Sequence, residues 1–210
     1  MQEKLRNYIS RQFGNPSGLL GRFIGNGMAR RNAHDAEWTI SLLNIQPHQR
    51  LLEIGFGPGV STQMASEKAT EGFVAGLDHS KDMVQAASQR NAIAIQSGRV
   101  ELRQGEVSSL PYSDGSFDIV YSIHSIYFWR NPVDCLKEIK RVLKPGGLLA
   151  ITIQPKDKWR PNVDPRVMTL YFGNELASLL PEAGFRDVRV EVKVTPGQHQ
   201  RYLECILATA

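Results

Sequence analysis

From residue 51 to residue 153 the chain alternates short apolar runs with stretches whose apolar residues recur at helical spacing. LLEIG (51–55) and FVAGLD (73–78) are near-continuous apolar runs of strand length, the pattern of strands covered on both faces of a parallel sheet. Between them Val60 to Ala69 predicts a helix, and Ser80 is placed to cap another that runs to about Asn91. VELRQ (100–104) and FDIVYSI (117–123) predict the third and fourth strands. Asn131 followed by Pro132 opens a helix with proline at its favoured first position, and Val133, Leu136, Ile139 and Leu143 form its inward stripe. Pro145-Gly146-Gly147 stops that helix, and LLAITI (148–153) is the fifth strand.

After a loop holding Pro155, Pro161 and Pro165, a helix is predicted over Gly173 to Ala183, with Pro181 bending or ending it. VRVEVKV (188–194) and YLECILAT (202–209), joined by a turn at Thr195-Pro196-Gly197, predict an antiparallel hairpin. Upstream, a helix is expected over His34 to Leu43, with Trp38 and Leu42 inward, before Pro47 punctuates the chain. Residues 14–27 are rich in glycine, and the pairs Leu19/Phe23 and Leu20/Ile24 suggest a short amphipathic helix. The alternation gives an α/β fold: a Rossmann-like, doubly wound, seven-stranded, mostly parallel sheet with a C-terminal antiparallel hairpin.

The loop after the first strand carries candidate chemistry. In Glu53-Ile54-Gly55-Phe56-Gly57-Pro58-Gly59 the glycines permit left-handed backbone and close approach of a ligand. A dinucleotide fingerprint would read G-x-G-x-x-G, whereas here the third glycine comes one residue early and Val60 takes its place. Glu53 would repel a pyrophosphate and attract an ammonium group. Asp78 ends the second strand about twenty residues on, where a carboxylate takes ribose hydroxyls.

Charge and composition narrow the picture. The chain of 210 residues has a net charge of +4, but Lys4, Arg6, Arg11, Arg22, Arg30 and Arg31 stand against Glu3 alone before residue 35. The excess therefore marks off a basic segment, 1–34, from a nearly neutral body, 35–210. A nucleic-acid binder spreads basic residues along one stripe of its body, so no nucleic-acid partner is expected. The segment, with Leu19, Leu20, Phe23, Ile24 and Met28, is expected to act as a mobile lid over the substrate or to make a peripheral membrane contact. No apolar run approaches the roughly 20 residues of a membrane span, and MQEKLRNYISRQFG lacks the apolar core of a secretory leader. Cys135 and Cys205 make no disulfide framework, so a cytoplasmic setting is expected. His34, His48, His79, His124 and His199 show no metal-ligand spacing, and no metal is expected.

Four stretches in order, LLEIGFGPG, FVAGLDHS, GEVSSLPYSDGSFDIVYS and LKEIKRVLKPGGLLAIT, make the chain from Leu51 to Ile153 resemble the class I S-adenosylmethionine-dependent methyltransferases. The likeness is to the small-molecule branch that includes the quinone-biosynthesis C-methyltransferases. The resemblance implies S-adenosylmethionine as cofactor and assigns roles by position. Glu53, Gly55, Gly57 and Gly59 would form the floor under its methionine part, and Asp78 would hold the ribose. His79 and Met83 would flank adenine or ribose, and Glu106 and Val107 would meet the adenine edge. Position 106 more often carries Asp in that family. Ser122 would lie near the sulfonium.

A sulfonium methyl asks mainly for alignment and exclusion of water. Where the nucleophile must lose a proton, His124 and Tyr127 are the candidate catalytic groups. The Asn/Asp-Pro-Pro-Tyr/Phe signature of base amino-methylation is absent after the fourth strand, where Ser122-Ile123-His124-Ser125 stands. Phe13, Phe23, Tyr127, Phe128, Trp129, Trp159, Tyr171 and Phe172 could line a pocket for a small or lipid-like acceptor. A nicotinamide-dependent oxidoreductase and a non-catalytic S-adenosylmethionine-binding protein are the competing readings.

Overall fold

In the computed structural model, which describes residues 33–159, 166–195 and 201–210, the apolar runs form seven strands. They are β1 (Arg50–Ile54), β2 (Phe73–Asp78), β3 (Val100–Gln104), β4 (Phe117–Ile123), β5 (Leu143–Ile153), β6 (Arg186–Val194) and β7 (Tyr202–Thr209). Six α-helices accompany them: α1 (residues 33–42), α2 (Val60–Lys68), α3 (Lys81–Arg90), α4 (Ala92–Gln96), α5 (Pro132–Val142) and α6 (Gly173–Glu182). The basic segment before residue 33, the pairs Leu19/Phe23 and Leu20/Ile24, Pro161, Pro165, Pro196 and Gly197 lie outside the described residues.

The strands make one sheet in the order β3-β2-β1-β4-β5-β7-β6. All neighbours are parallel except β7, which runs against both β5 and β6. Both faces are covered, which is why the central strands read as unbroken apolar runs. Leu51, Ile119, Ala150, Cys205 and Leu207 point into a layer shared with α1, α2 and α4. Leu52, Ile54, Val120, Leu149, Ile151 and Ile206 point into the opposite layer with α5 and α6. Among the described residues, no helix is long and apolar enough to cross a membrane.

Three local readings are corrected. The chain makes a second short helix, α4, directly after α3, with Ala94 buried and Ile93 exposed; five residues are too few to print a periodic stripe. Leu143 is not the last residue of α5 but the first of β5, which passes through Pro145-Gly146-Gly147 as an irregular stretch between the pairs Phe117–Leu143 and Ile119–Leu148. The buried face of α1 carries Asp35, Ala36, Thr39 and Ile40, continued by Leu43 just past its end, with Trp38 and Leu42 half-buried at its flank. Two buried polar residues hide that face from an apolar count. Thr39 is inside because its hydroxyl meets that of Thr152 on β5 at 2.7 Å.

Ser80 caps α3 by accepting from the Met83 N–H, and Pro181 sits one residue before the end of α6. Asn44 takes the left-handed conformation just past α1, with φ 46°, as helix ends favour. Ile139 is fully buried on α5. Ile139→Ala is expected to cost about 2–5 kcal/mol by losing apolar burial and leaving a cavity, read as a lower urea midpoint with an unchanged slope.

Candidate active site

β1 and β4 lie side by side, but β1 leads outward to β2 and β4 leads the other way to β5. A crevice opens beyond the carboxyl ends of parallel strands at such a reversal. The glycine turn sits there, with Gly55, Gly57 and Gly59 all at positive φ (74°, 53° and 76°). Gly55 is also sterically required, since a Cβ there would collide with Ser125. Gly57 differs: a Cβ on it would meet nothing within 4 Å, so the space above the turn is open. Its N–H donates to Asp78 Oδ2 at 2.9 Å, tying the end of β1 to the end of β2.

Asp78 is 7% exposed, and its Oδ1 accepts from the Ser80 N–H at 2.9 Å. Burial pushes its carboxyl above the ordinary range, against the lowering effect of those two N–H groups. His79 Nδ1 stands 3.8 Å away. Glu53, 1% exposed, lies beneath the turn on the α2 side of the sheet. Its carboxylate accepts from the Ser61 hydroxyl, from Thr62 Oγ1 at 2.6 Å and from Tyr121 OH at 2.9 Å. Tyr121 is its partner across the β1–β4 ladder. Burial raises the Glu53 carboxyl, and the three hydroxyls hold it down.

The loop after β4 is bound to the turn and to two distant segments. Ser122 and Ser125 hydroxyls meet at 2.6 Å, and Ser125 donates to the Ile54 carbonyl at 3.0 Å. His124 is held at φ 59°, an uncommon conformation for a residue with a side chain. Its Nε2 is 2.8 Å from Asp35 Oδ2 and its Nδ1 3.3 Å from Tyr127 OH. Arg201 Nη2 meets the same Asp35 oxygen at 2.7 Å. A buried carboxylate on Nε2 favours the tautomer with the proton there, leaving Nδ1 as an acceptor. Tyr127 OH accepts from the Gln154 N–H at 2.6 Å and has the Gln154 carbonyl 3.3 Å away, and burial pushes its phenol up strongly.

The sequence-predicted residues are therefore mostly gathered around one crevice. Gly55, Gly57, Gly59, Asp78 and His79 stand at or just beyond the ends of β1 and β2, and Glu53, Met83, Val107 and Ser122 are buried. Glu106 is exposed beyond β3. Asp35, Tyr121, Ser125 and Arg201 were missed. Each is an ordinary polar residue whose partner lies far along the chain, so only the fold reveals it. Trp159 packs on Tyr127 with ring centroids 5.1 Å apart, and the Thr169 N–H donates to the Tyr127 carbonyl at 2.8 Å, so the segment after β5 is anchored to the loop after β4.

A glycine turn at the sheet's reversal, with one acid below it and another at the end of β2, defines a Rossmann-like site for a nucleoside-bearing ligand. Residues 52–151 match the model of the family described as methyltransferase domain. The chain is 32% identical over 166 residues to the uncharacterised methyltransferase YdaC of Bacillus subtilis (strain 168), covering 79% of this chain and 87% of that protein. It is 32% identical over 124 residues to the ubiquinone/menaquinone biosynthesis C-methyltransferase UbiE of Geotalea daltonii, covering 56% of this chain and 52% of that one. Among solved structures, a SAM-dependent methyltransferase from Aquifex aeolicus superposes with a TM-score of 0.70 at 24% identity over 86% of this chain and 92% of that one. The chain belongs to the S-adenosylmethionine-dependent methyltransferases, which removes the nicotinamide reading. The residues fit that cofactor: a carboxylate offers about four acceptor sites, and backbone N–H groups use two of those on Asp78.

The raised Glu53 carboxyl gives a pH signature. The folded protein holds this proton at pH values where the unfolded chain, with its value near 4.5, has lost it. The group's contribution is fully present below that value and is lost as pH rises through the folded-state value. The stability advantage of wild type over Glu53→Gln is expected to shrink steadily as pH rises from 4.5, measured as urea midpoints. A constant difference would show that Glu53 is charged in both states.

Proposed function

We propose that this methyltransferase passes the methyl group of S-adenosylmethionine directly to a small or lipid-like acceptor in the cytoplasm. The observation that supports the acceptor class is the aromatic cluster that continues from the loop after β4: Tyr127, Trp129 and Tyr171 are buried, and Phe128 and Trp159 pack against the same apolar core. Apolar pockets with few polar groups suit small, largely apolar ligands. The C-methyltransferase named for quinone biosynthesis among its relatives acts on such a molecule by its name, though this chain spans only about half of that protein. Both cysteines are free and buried, which agrees with a reducing compartment.

In this reading the cofactor supplies an activated sulfonium methyl, and the protein's own groups align the reactants and exclude water. Asp78 takes the two ribose hydroxyls with its spare acceptor sites. The Gly57 backbone lets the ligand lie close over the turn. Glu53 acts from below, fixing the first turn of α2 through Ser61 and Thr62 and favouring an ammonium above it. Glu106 and Val107 meet the adenine edge, His79 and Met83 flank it, and Ser122 lies near the reacting methyl. His124 accepts the acceptor's proton at Nδ1. The Tyr127 hydroxyl frees that nitrogen by turning to the Gln154 carbonyl, which lies as close to it as Nδ1 does.

Incubating the protein and S-adenosylmethionine with phenols, quinols, sterols and fatty acids is expected to add one methyl to a member of the set, read by mass. Methylation of protein or nucleic acid alone would overturn the acceptor class. Asp78→Ala is expected to weaken S-adenosylhomocysteine binding by about 1.5–3 kcal/mol in a calorimeter. Gly57→Val is expected to abolish that binding while costing about 1–2 kcal/mol of stability, because a branched side chain must adopt left-handed backbone.

A further inference from the structure

Among the described residues strand β6 is one of the two outer edges of the sheet, and its composition does not suit an edge left in water. Val190, Val192 and Val194 are 38%, 63% and 47% exposed on the face it shares with α6, where Val190 stands beside Gly173. Arg189, Glu191 and Lys193 occupy the other face, with Lys193 Nζ 5.9 Å from the Trp38 ring of α1. Long apolar edges offer unpaired N–H and C=O groups to another strand. Here the direction of those groups follows from the hairpin. The Thr195 N–H donates to the Arg201 carbonyl, so in steps of two the backbone groups of Lys193, Glu191 and Arg189 face β7. Those of Val190, Val192 and Val194 face outward.

Residues 189–195 read Arg-Val-Glu-Val-Lys-Val-Thr, and about Val192 this stretch is symmetric in its apolar positions and antisymmetric in its central charges. We infer that β6 pairs antiparallel with β6 of a second copy of this chain, about a two-fold axis through Val192. In that register Val192 faces Val192, Val190 faces Val194 twice, and Glu191 faces Lys193 twice. Every outward backbone group of the three valines then finds a partner, and the opposite charges fall directly across from one another, the arrangement that stabilises a strand pair. An isologous contact requires such self-complementarity. The neighbouring two-fold registers that keep valine against valine are centred on Glu191 or Lys193, and each sets two like charges directly opposite one another. A one-residue slip to an odd register would set valines against charges.

The test is sedimentation of the full chain across a concentration series. Wild type is expected to rise from the mass of one chain to twice that mass with increasing concentration. Glu191→Lys places lysines opposite one another at both ends of the pair, and Lys193→Glu does the same with glutamates, so each single variant is expected to stay monomeric. The double variant E191K/K193E restores opposite charges and is expected to recover the dimer. Val192→Pro removes only an outward N–H and is expected to abolish the dimer while leaving the β6–β7 ladder and S-adenosylhomocysteine binding intact. A wild type that is monomeric throughout, a dimer that survives the single charge variants and Val192→Pro, or a double variant that fails to recover, would each overturn the inference.

Discussion

The hydrogen bond from the Gly57 N–H to the Asp78 carboxylate joins the ends of two neighbouring parallel strands at the place where the sheet reverses direction. It shapes the turn that only left-handed glycines can follow, and it sets the carboxylate at the rim with acceptor sites to spare. Around it the chain builds a rigid floor. Glu53 locks the first turn of α2 to β4 through three hydroxyls, and Ser125 locks the β4 loop back to the end of β1. These are contacts of the kind that hold a site's shape before any ligand arrives.

A second constraint comes from outside the matched segment 52–151. Asp35 on α1 holds both Arg201, just before β7, and His124 in the loop after β4. A carboxylate this deeply buried is tolerated only with such partners. The region before the first strand and the terminal hairpin therefore converge on the His124 imidazole, which explains how segments far apart in sequence bear on the same loop.

The alternation of strand and helix, the terminal hairpin and the glycine turn were legible because they rest on local periodicity and on residues whose backbone freedom is intrinsic. The placement of Asp78 and the glycines at the ends of β2 and β1 was legible because they directly adjoin the apolar runs. What escaped were buried polar contacts across the chain: Asp35 with His124 and Arg201, Thr39 with Thr152, Tyr121 with Glu53. In the linear sequence Asp35 and Thr39 look like the solvent side of α1, and their burial follows only from partners more than eighty residues away. The strand β5 began early for a similar reason, since the pairing of Leu143 with Phe117 overrode the helical stripe that Leu143 continues.

The role of Asp78 at the crevice is most directly measured by comparing two ligands on the unmodified protein in a calorimeter: S-adenosylhomocysteine and its analogue lacking both ribose hydroxyls. If the carboxylate held at the end of β2 takes those hydroxyls, the analogue binds at least about tenfold more weakly, the loss expected for hydrogen bonds to a charged acceptor. Equal affinity for the two ligands would contradict the account, placing the ribose away from Asp78 and the glycine turn.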